Sequence, residues 1–303
     1  MSILVTGAAG FIGVRLVQQL DALGYHVIVF DRNTRPTYVE LSENVTWIVK
    51  DIALEGIQSG DINGVDTVIH LAGSTLGAGE DEYNFLMANE ATTIRLLQAC
   101  AKQVDKLIFA SSQVVYGDIN HTAVSEDFEL KSTGSAYACS KVNSESWLQW
   151  FHKKHGGTYL AFRFSGFIEG GGIIDYIIDR ALRNEPIELY SKGVIHRDYL
   201  SISQGVDVLL AALNFTGSKK YTPINIGSGY IISASELAEL ICNEADSLSE
   251  IVLSNKSAPQ GDFVFDISRA KELFDFTPEY LPKAVKKYVQ YKKVSYLKGN
   301  PSA

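Results

Sequence analysis

One short segment constrains this chain more than any other. Ile3-Leu4-Val5 runs directly into Gly7-Ala8-Ala9-Gly10-Phe11-Ile12-Gly13 and from there into an apolar-periodic stretch, Phe11 to Leu23. A strand that enters glycines at three-residue spacing and leaves as a helix is the context in which this pattern reads as a phosphate-binding turn. Gly7 allows a tight turn, Gly10 admits backbone N–H groups to a pyrophosphate without an intervening Cβ, and Gly13 lets the helix lie close to the sheet. The positive end of the helix then faces the phosphates. Gly7, Gly10, Phe11, Ile12 and Gly13 are therefore candidate cofactor-binding residues.

The rest of the chain keeps the same rhythm. Short β-branched runs at Ile3 to Val5, His26 to Phe30, Thr46 to Val49, Thr67 to His70, Lys106 to Ala110 and Tyr159 to Phe164 alternate with helical periodicity over Phe11 to Leu23, Asn84 to Lys102 and Ala136 to His155. Alternation of this kind predicts an α/β fold with a doubly wound, parallel Rossmann-type sheet. Past Phe164 a glycine run (Gly170, Gly171, Gly172), a helix-like Ile173 to Arg183 and a proline-containing strand, Glu185 to Tyr190, mark a smaller, discontinuous α/β lobe. Asp207 to Ala212 and Tyr221 to Ile226 are expected to return to the sheet, and Ser233 to Ala245 and Asp266 to Tyr288 to be helices of the second lobe. The expected division is 1–165 with 199–229 for the nucleotide domain, and 166–198 with 230–303 for the substrate lobe.

Composition narrows the partners. In 303 residues, 27 basic against 35 acidic side chains leave a net charge of −8, which provides no basic footprint for nucleic acid or an anionic membrane. Cys100, Cys139 and Cys242 are too few and scattered for a disulfide framework or a zinc knuckle, so a cytoplasmic setting and no metal are expected. The start of the chain shows no signal-peptide pattern, and no window reaches the length of a membrane helix. His70 and His196 read as core or loop histidines, and His152 and His155 as a solvated helix end.

The second strand ends in Asp31, about twenty residues past the glycine turn, where a carboxylate can accept hydrogen bonds from an adenosine ribose. That favours NAD, although the adjacent Arg32 could offset the 2′-phosphate of NADP. Asp51, Ile52, Leu71, Ala72 and Gly73 close the third and fourth strands at the carboxyl edge and are expected to line adenine and ribose. The strand from Lys106 brings Ser112 to the same edge, while Tyr137 and Lys141 lie one turn apart on a predicted helix. A tyrosine titrates near 10, so it needs a nearby cation to work as a base at neutral pH, and Lys141 supplies one. With Ser112 holding a hydroxyl or carbonyl, Tyr137 can exchange the proton that accompanies hydride transfer.

Together with Ser111-Ser112-Gln113-Val114-Val115-Tyr116-Gly117, Tyr137-Ala138-Cys139-Ser140-Lys141, His196-Arg197-Asp198-Tyr199 and Asn225-Ile226-Gly227-Ser228-Gly229, the glycine turn resembles the extended short-chain dehydrogenase/reductase family, in its nucleotide-sugar epimerase and dehydratase branch. The resemblance implies NAD in the N-terminal lobe and a nucleoside-diphosphate sugar in the C-terminal one. It makes Ser112 the substrate-hydroxyl partner, Tyr137 the acid/base, Lys141 the phenolate stabiliser and ribose ligand, Asn89 a neighbour of the active site, and Arg197 a diphosphate ligand. Ser74, Gln113, Gly166 and Gln260 complete the candidate substrate contacts. A homodimer, with the Tyr137 helix and its Trp147, Trp150 and Phe151 contributing, and polysaccharide biosynthesis as the setting are also implied.

Three departures qualify the likeness. Gln113-Val114 stands where dehydratases carry Asp-Glu, which disfavours water elimination; Gly166 replaces an asparagine after Arg163; and Gln260 replaces a phosphate-clamping arginine before Gly261-Asp262. The expected activity is C4 epimerisation through a transient keto-sugar, with reduction of a 4-keto nucleotide sugar as the alternative and a non-catalytic NAD-binding scaffold as a third reading.

Overall fold

A computed structural model describes residues 1–75, 81–101, 103–258 and 261–297. The first half of the chain runs β1 (Ser2–Thr6), α1 (Phe11–Ala22), β2 (His26–Asp31), β3 (Val45–Val49), α2 (Ile52–Glu55), β4 (Thr67–His70), α3 (Glu82–Phe85), a π-helical stretch (Leu86–Ala91), α4 (Thr92–Cys100), β5 (Lys106–Ser112), β6 (His121–Val124) and α5 (Ala136–His155). The second half continues with β7 (Thr158–Phe164), β8 (Gly166–Phe167), α6 (Ile173–Leu182), β9 (Ile187–Leu189), β10 (His196–Arg197), β11 (Tyr199–Leu200) and α7 (Ile202–Leu213). Then come β12 (Tyr221–Ile226), β13 (Ile232–Ser233), α8 (Ala234–Ala245), β14 (Ile251–Leu253), β15 (Phe263–Phe265), α9 (Ser268–Phe274) and α10 (Leu281–Leu297).

Seven strands form the central sheet in the order β12-β7-β5-β4-β1-β2-β3, every pairing parallel. This is the doubly wound sheet that the sequence predicts. Both faces are covered: Ile3 and Val5 point to a core shared with Leu16 and Leu20 of α1 and Val206 and Leu209 of α7, whereas Leu4 points to the opposite core with Leu96 of α4 and Leu148 of α5. Burial on both sides explains why Ile3 to Val5 of β1 are continuously apolar rather than alternating.

A four-stranded sheet, β13-β10-β15-β6, and the short pairs β11-β8 and β14-β9 lie beyond the central sheet, with α6, α8 and α10 around a separate apolar cluster. Two expected strands change. Asp207 to Ala212 is not a strand but the body of α7, buried against α1; a short apolar run has no periodicity that tells a covered helix from a strand. Within the segment assigned to the second lobe, Ala270 and Phe276 pack into the core of the central sheet. The strand predicted over Glu185 to Tyr190 contracts to Ile187–Leu189, leaving Pro186 outside the ladder.

Candidate active site

The glycine turn has the close packing its spacing requires. Gly7 sits at φ +74°, and a Cβ there would lie 2.6 Å from Ala72 Cα; one at Gly13 would lie 2.5 Å from Ala8 Cα. Asp31 is buried at the end of β2, its carboxylate accepting from the Ala9 N–H and the Asn33 N–H, both at 2.8 Å. It thus ties the glycine loop to the adjacent strand. A cavity of about 1000 Å³ opens there, walled by Gly7, Gly10, Phe11, Ile12 and Gly13, by Asp31, Arg32, Asp51 and Ile52, and by Leu71, Ala72 and Gly73. All twelve of these predicted cofactor contacts meet at one cleft. A cradle without side chains, one buried carboxylate and this volume fit an extended dinucleotide.

Behind the Gly73 and Ala110 wall lies the polar cluster. The Ser135 hydroxyl caps α5 by accepting from Ala138 N–H at 3.0 Å, which starts the helix where Tyr137 and Lys141 project toward β5. Lys141 is buried, donating from Nζ to the Ala110 carbonyl at 2.8 Å and standing 4.8 Å from the Phe109 ring centroid. Burial pushes its ammonium down to about 8 against the raising field of Glu145. The Tyr137 phenol is buried and hydrogen-bonded with Ser112. Burial raises its pKa, with the Ser112 bond acting the other way, and Lys141 Nζ lies 6.0 Å from the Tyr137 ring centroid. Of these two influences on Tyr137, desolvation is the larger.

Asn89 lies in the π-helical stretch, whose extra residue per turn turns its carboxamide inward; such bulges recur at functional sites. It donates to Ser140 Oγ at 2.7 Å and accepts from the Ser74 N–H at 2.7 Å. Ser74 is itself buried and accepts from Asn84 Nδ2 at 2.8 Å, so in this structure it braces the wall instead of lining either cavity. His70 is a core histidine, as expected, between Thr6 Oγ1 at 2.7 Å and Thr93 Oγ1 at 3.0 Å.

A second cavity of about 490 Å³ adjoins the first, and Gly172, Ile173 and Tyr199 line both. Arg197 is in its wall, donating to the carbonyls of His196 and Gly261. Asp198 is buried and accepts from Ser228 N–H and Oγ, Gly229 N–H and Phe265 N–H. Gly166 reaches the first cavity at the start of β8, and a Cβ there would stand 3.1 Å from the Tyr199 ring. Gln113 follows Ser112, and its Oε1 is buried without a hydrogen-bond partner. Gln260 lies outside the described residues. The sequence reading did not single out Tyr199, Ile173, Tyr176 and Tyr190 as wall residues, although Tyr199 stood inside a quoted motif.

Comparisons with known proteins agree with this fold. A UDP-glucose 4-epimerase of Thermotoga maritima, solved with UDP-glucose, superposes with a TM-score of 0.86 at 25% identity, covering 98% of this chain and 100% of that one. A UDP-glucuronic acid 4-epimerase of Bacillus cereus, solved with UDP-glucuronic acid and NAD, gives 0.83 at 26% identity over 96% of this chain and 99% of the other. A dTDP-4-dehydro-6-deoxy-D-allose reductase of a Streptomyces species is 28% identical over 92% of each chain. The family model that matches spans residues 3–227, from the first strand through the glycine turn, Ser112, Tyr137 and Lys141 to the end of β12, and the chain belongs to the NAD dependent epimerase/dehydratase family.

Proposed function

We propose that the protein inverts one carbon, C4 the favoured centre, in the sugar of a nucleoside diphosphate sugar, using NAD and passing through a transient keto-sugar. The observation that carries this reading is the meeting of Ser112, Tyr137 and Lys141 behind the wall of the larger cavity, beside a second cavity bearing Arg197. Gly7, Gly10, Phe11, Ile12 and Gly13 would hold the pyrophosphate of NAD, Asp31 with Arg32 its adenosine ribose, and Asp51, Ile52, Leu71, Ala72 and Gly73 the adenine side. Asn89, Tyr137 and Lys141 would stand at the nicotinamide end. When bound, the cofactor supplies a hydride acceptor and donor.

The chain's own groups manage the proton. Ser112 holds the sugar oxygen and Tyr137 Oη takes its proton, then returns it when the ketone is reduced. Arg197 provides charge for the diphosphate, and Gln113 and Gly166 border the sugar. Tyr176 and Tyr190 offer flat apolar faces to a base in the second cavity. The absence of an Asp-Glu pair at Gln113-Val114 supports redox chemistry without elimination.

The Streptomyces relative favours the second reading, an NAD(P)H-dependent 4-keto-sugar reductase. Cofactor stoichiometry separates the two. An epimerase interconverts 4-hydroxy nucleotide sugars with substoichiometric NAD and no net change in NADH absorbance. Steady NADH loss with a 4-keto nucleotide sugar, and no isomer from the 4-hydroxy sugar, would establish the reductase instead.

The proposal includes a cytoplasmic homodimer joined through α5. Trp147 and Trp150, 36% and 46% exposed, meet edge to face on that helix, a large apolar surface for a protein of this charge. Among the described residues, no helix is long and apolar enough to cross a membrane. The two-lobe division at 165/166, 198/199 and 229/230 is part of the same proposal.

A further inference from the structure

Tyr137, Lys141 and Glu145 follow one another at four-residue spacing on α5, so they share one face of the helix. All three are buried, Glu145 completely, at 0% exposure. A fully buried carboxylate is costly unless its oxygens are satisfied. Glu145 Oε1 accepts from Ser111 Oγ at 2.5 Å, and Oε2 from Arg163 Nη2 at 2.7 Å and Tyr221 Oη at 2.6 Å. Arg163 Nη1 donates onward to Tyr116 Oη at 2.8 Å, which in turn donates to Asn225 Oδ1 at 2.6 Å. The network ties α5 to β5, β7 and β12.

Where Glu145 grips the sheet gives the network a catalytic meaning, on the reading that Ser112, Tyr137 and Lys141 do the chemistry. Ser111 lies between Ala110, whose carbonyl accepts from Lys141, and Ser112, which is hydrogen-bonded with Tyr137. We propose that Glu145 is a positioning residue: through Ser111 it holds the strand end that presents Ser112 and the Lys141 acceptor, and it sets its carboxylate one turn from Lys141 on the same face of α5. The charged and titratable groups around Lys141 agree. On its own helix are Tyr137, a buried phenol, and Glu145. From β4 comes His70, whose imidazole is kept neutral by burial and by Lys141 itself, its pKa lowered to about 3. β5 contributes the Phe109 ring and the Ala110 carbonyl, and the π-helical stretch the neutral Asn89. Among the described residues Glu145 is the carboxylate whose field opposes the desolvation of Lys141.

The test is the pH profile of kcat/KM for Glu145→Gln, which keeps shape and hydrogen-bonding capacity but removes the charge. Lys141 then deprotonates at lower pH, so the alkaline limb of activity should move down by at least about half a unit. Glu145→Asp, which restores the carboxylate, should bring the limb back toward the wild-type position. Ser111→Ala leaves the charge and removes the grip on β5; it should lower kcat about tenfold with KM nearly unchanged and the limb unmoved. An unmoved limb in Glu145→Gln, or full kcat in Ser111→Ala, overturns the proposal. If the glutamine variant does not fold, the aspartate and alanine variants decide: a shifted limb in the former or full kcat in the latter overturns it. Tyr137→Phe run alongside keeps the two readings apart. Retained turnover there defeats the proposed chemistry, whereas its loss with an unmoved Glu145→Gln limb defeats only the role of Glu145.

Discussion

At the scale of the residue, the decisive contrast is between groups that move protons and groups that are held from doing so. Tyr137→Phe removes one oxygen from a buried ring that packs against Phe85 and leaves that packing in place. Turnover should fall by about 10² to 10⁴-fold while NAD affinity, read by fluorescence titration, stays near wild type. Asp31→Ala removes the acceptor of two backbone N–H groups as well as the proposed ribose ligand, so it loosens the glycine loop itself. NAD should bind about tenfold or more weakly, and its preference over NADP should narrow; an unchanged NAD/NADP ratio in binding assays would refute the ribose role. His70 shows the opposite case. Its folded pKa, depressed to about 3, lies below the unfolded value of about 6.5, so the unfolded chain binds the extra proton between them. Its contribution to stability is complete above pH 6.5 and is lost as the pH falls toward 3. From pH 6.5 to 5, wild type should lose about 2 kcal/mol more than His70→Gln, measured by urea unfolding. Asp198, raised to about 6 by burial against the hydrogen bonds it accepts, pulls the other way in the same window in both proteins.

At the scale of the element, the glycine turn separates two effects that a sequence motif merges. Gly13 lies inside α1, where an added Cβ would collide with the backbone of Ala8. Gly24 follows the helix at φ +77° with nothing within 4 Å of an added Cβ. Gly13→Ala should therefore cost about 1–3 kcal/mol by overpacking and weaken NAD, because the helix must move away from the turn. Gly24→Ala should cost about 1–2 kcal/mol from its left-handed backbone alone and leave NAD affinity unchanged. Calorimetric unfolding of each variant with and without NAD measures both. Helix α5 is likewise specified locally, by Ser135 at its start and by His152 to His155 in its last turn before Gly156 at φ +75°. Its function depends on which face turns inward, and there tertiary packing takes over.

At the scale of the whole molecule, the two cavities meet at Gly172, Ile173 and Tyr199, so the proposed chemistry would depend on how the proposed lobes face one another. The proposed assembly adds a third level. If α5 joins two copies, replacing both Trp147 and Trp150 with glutamate should give a monomer of unchanged far-ultraviolet circular dichroism, with sedimentation velocity as the check. A variant that remains a dimer would place the interface elsewhere.

The sequence by itself determined the features carried by local physics. A strand, three glycines and a helix specify a phosphate turn because backbone conformation and steric access are set within a few residues, and alternating periods of two and 3.6 specify a doubly wound sheet. Asp31, Ser112, Tyr137 and Lys141 were legible because each sits at a strand end or helix position that this topology brings to one edge. The apolar run of α7 was not legible, since a helix covered on several sides carries no clear period, and neither was the seam along Tyr199. Glu145 was missed for the same reason as Arg163: on paper each is an ordinary charge on a helix or strand. Only the packing of α5 against β5, β7 and β12 withdrew them from water and set them against each other as a buried ion pair.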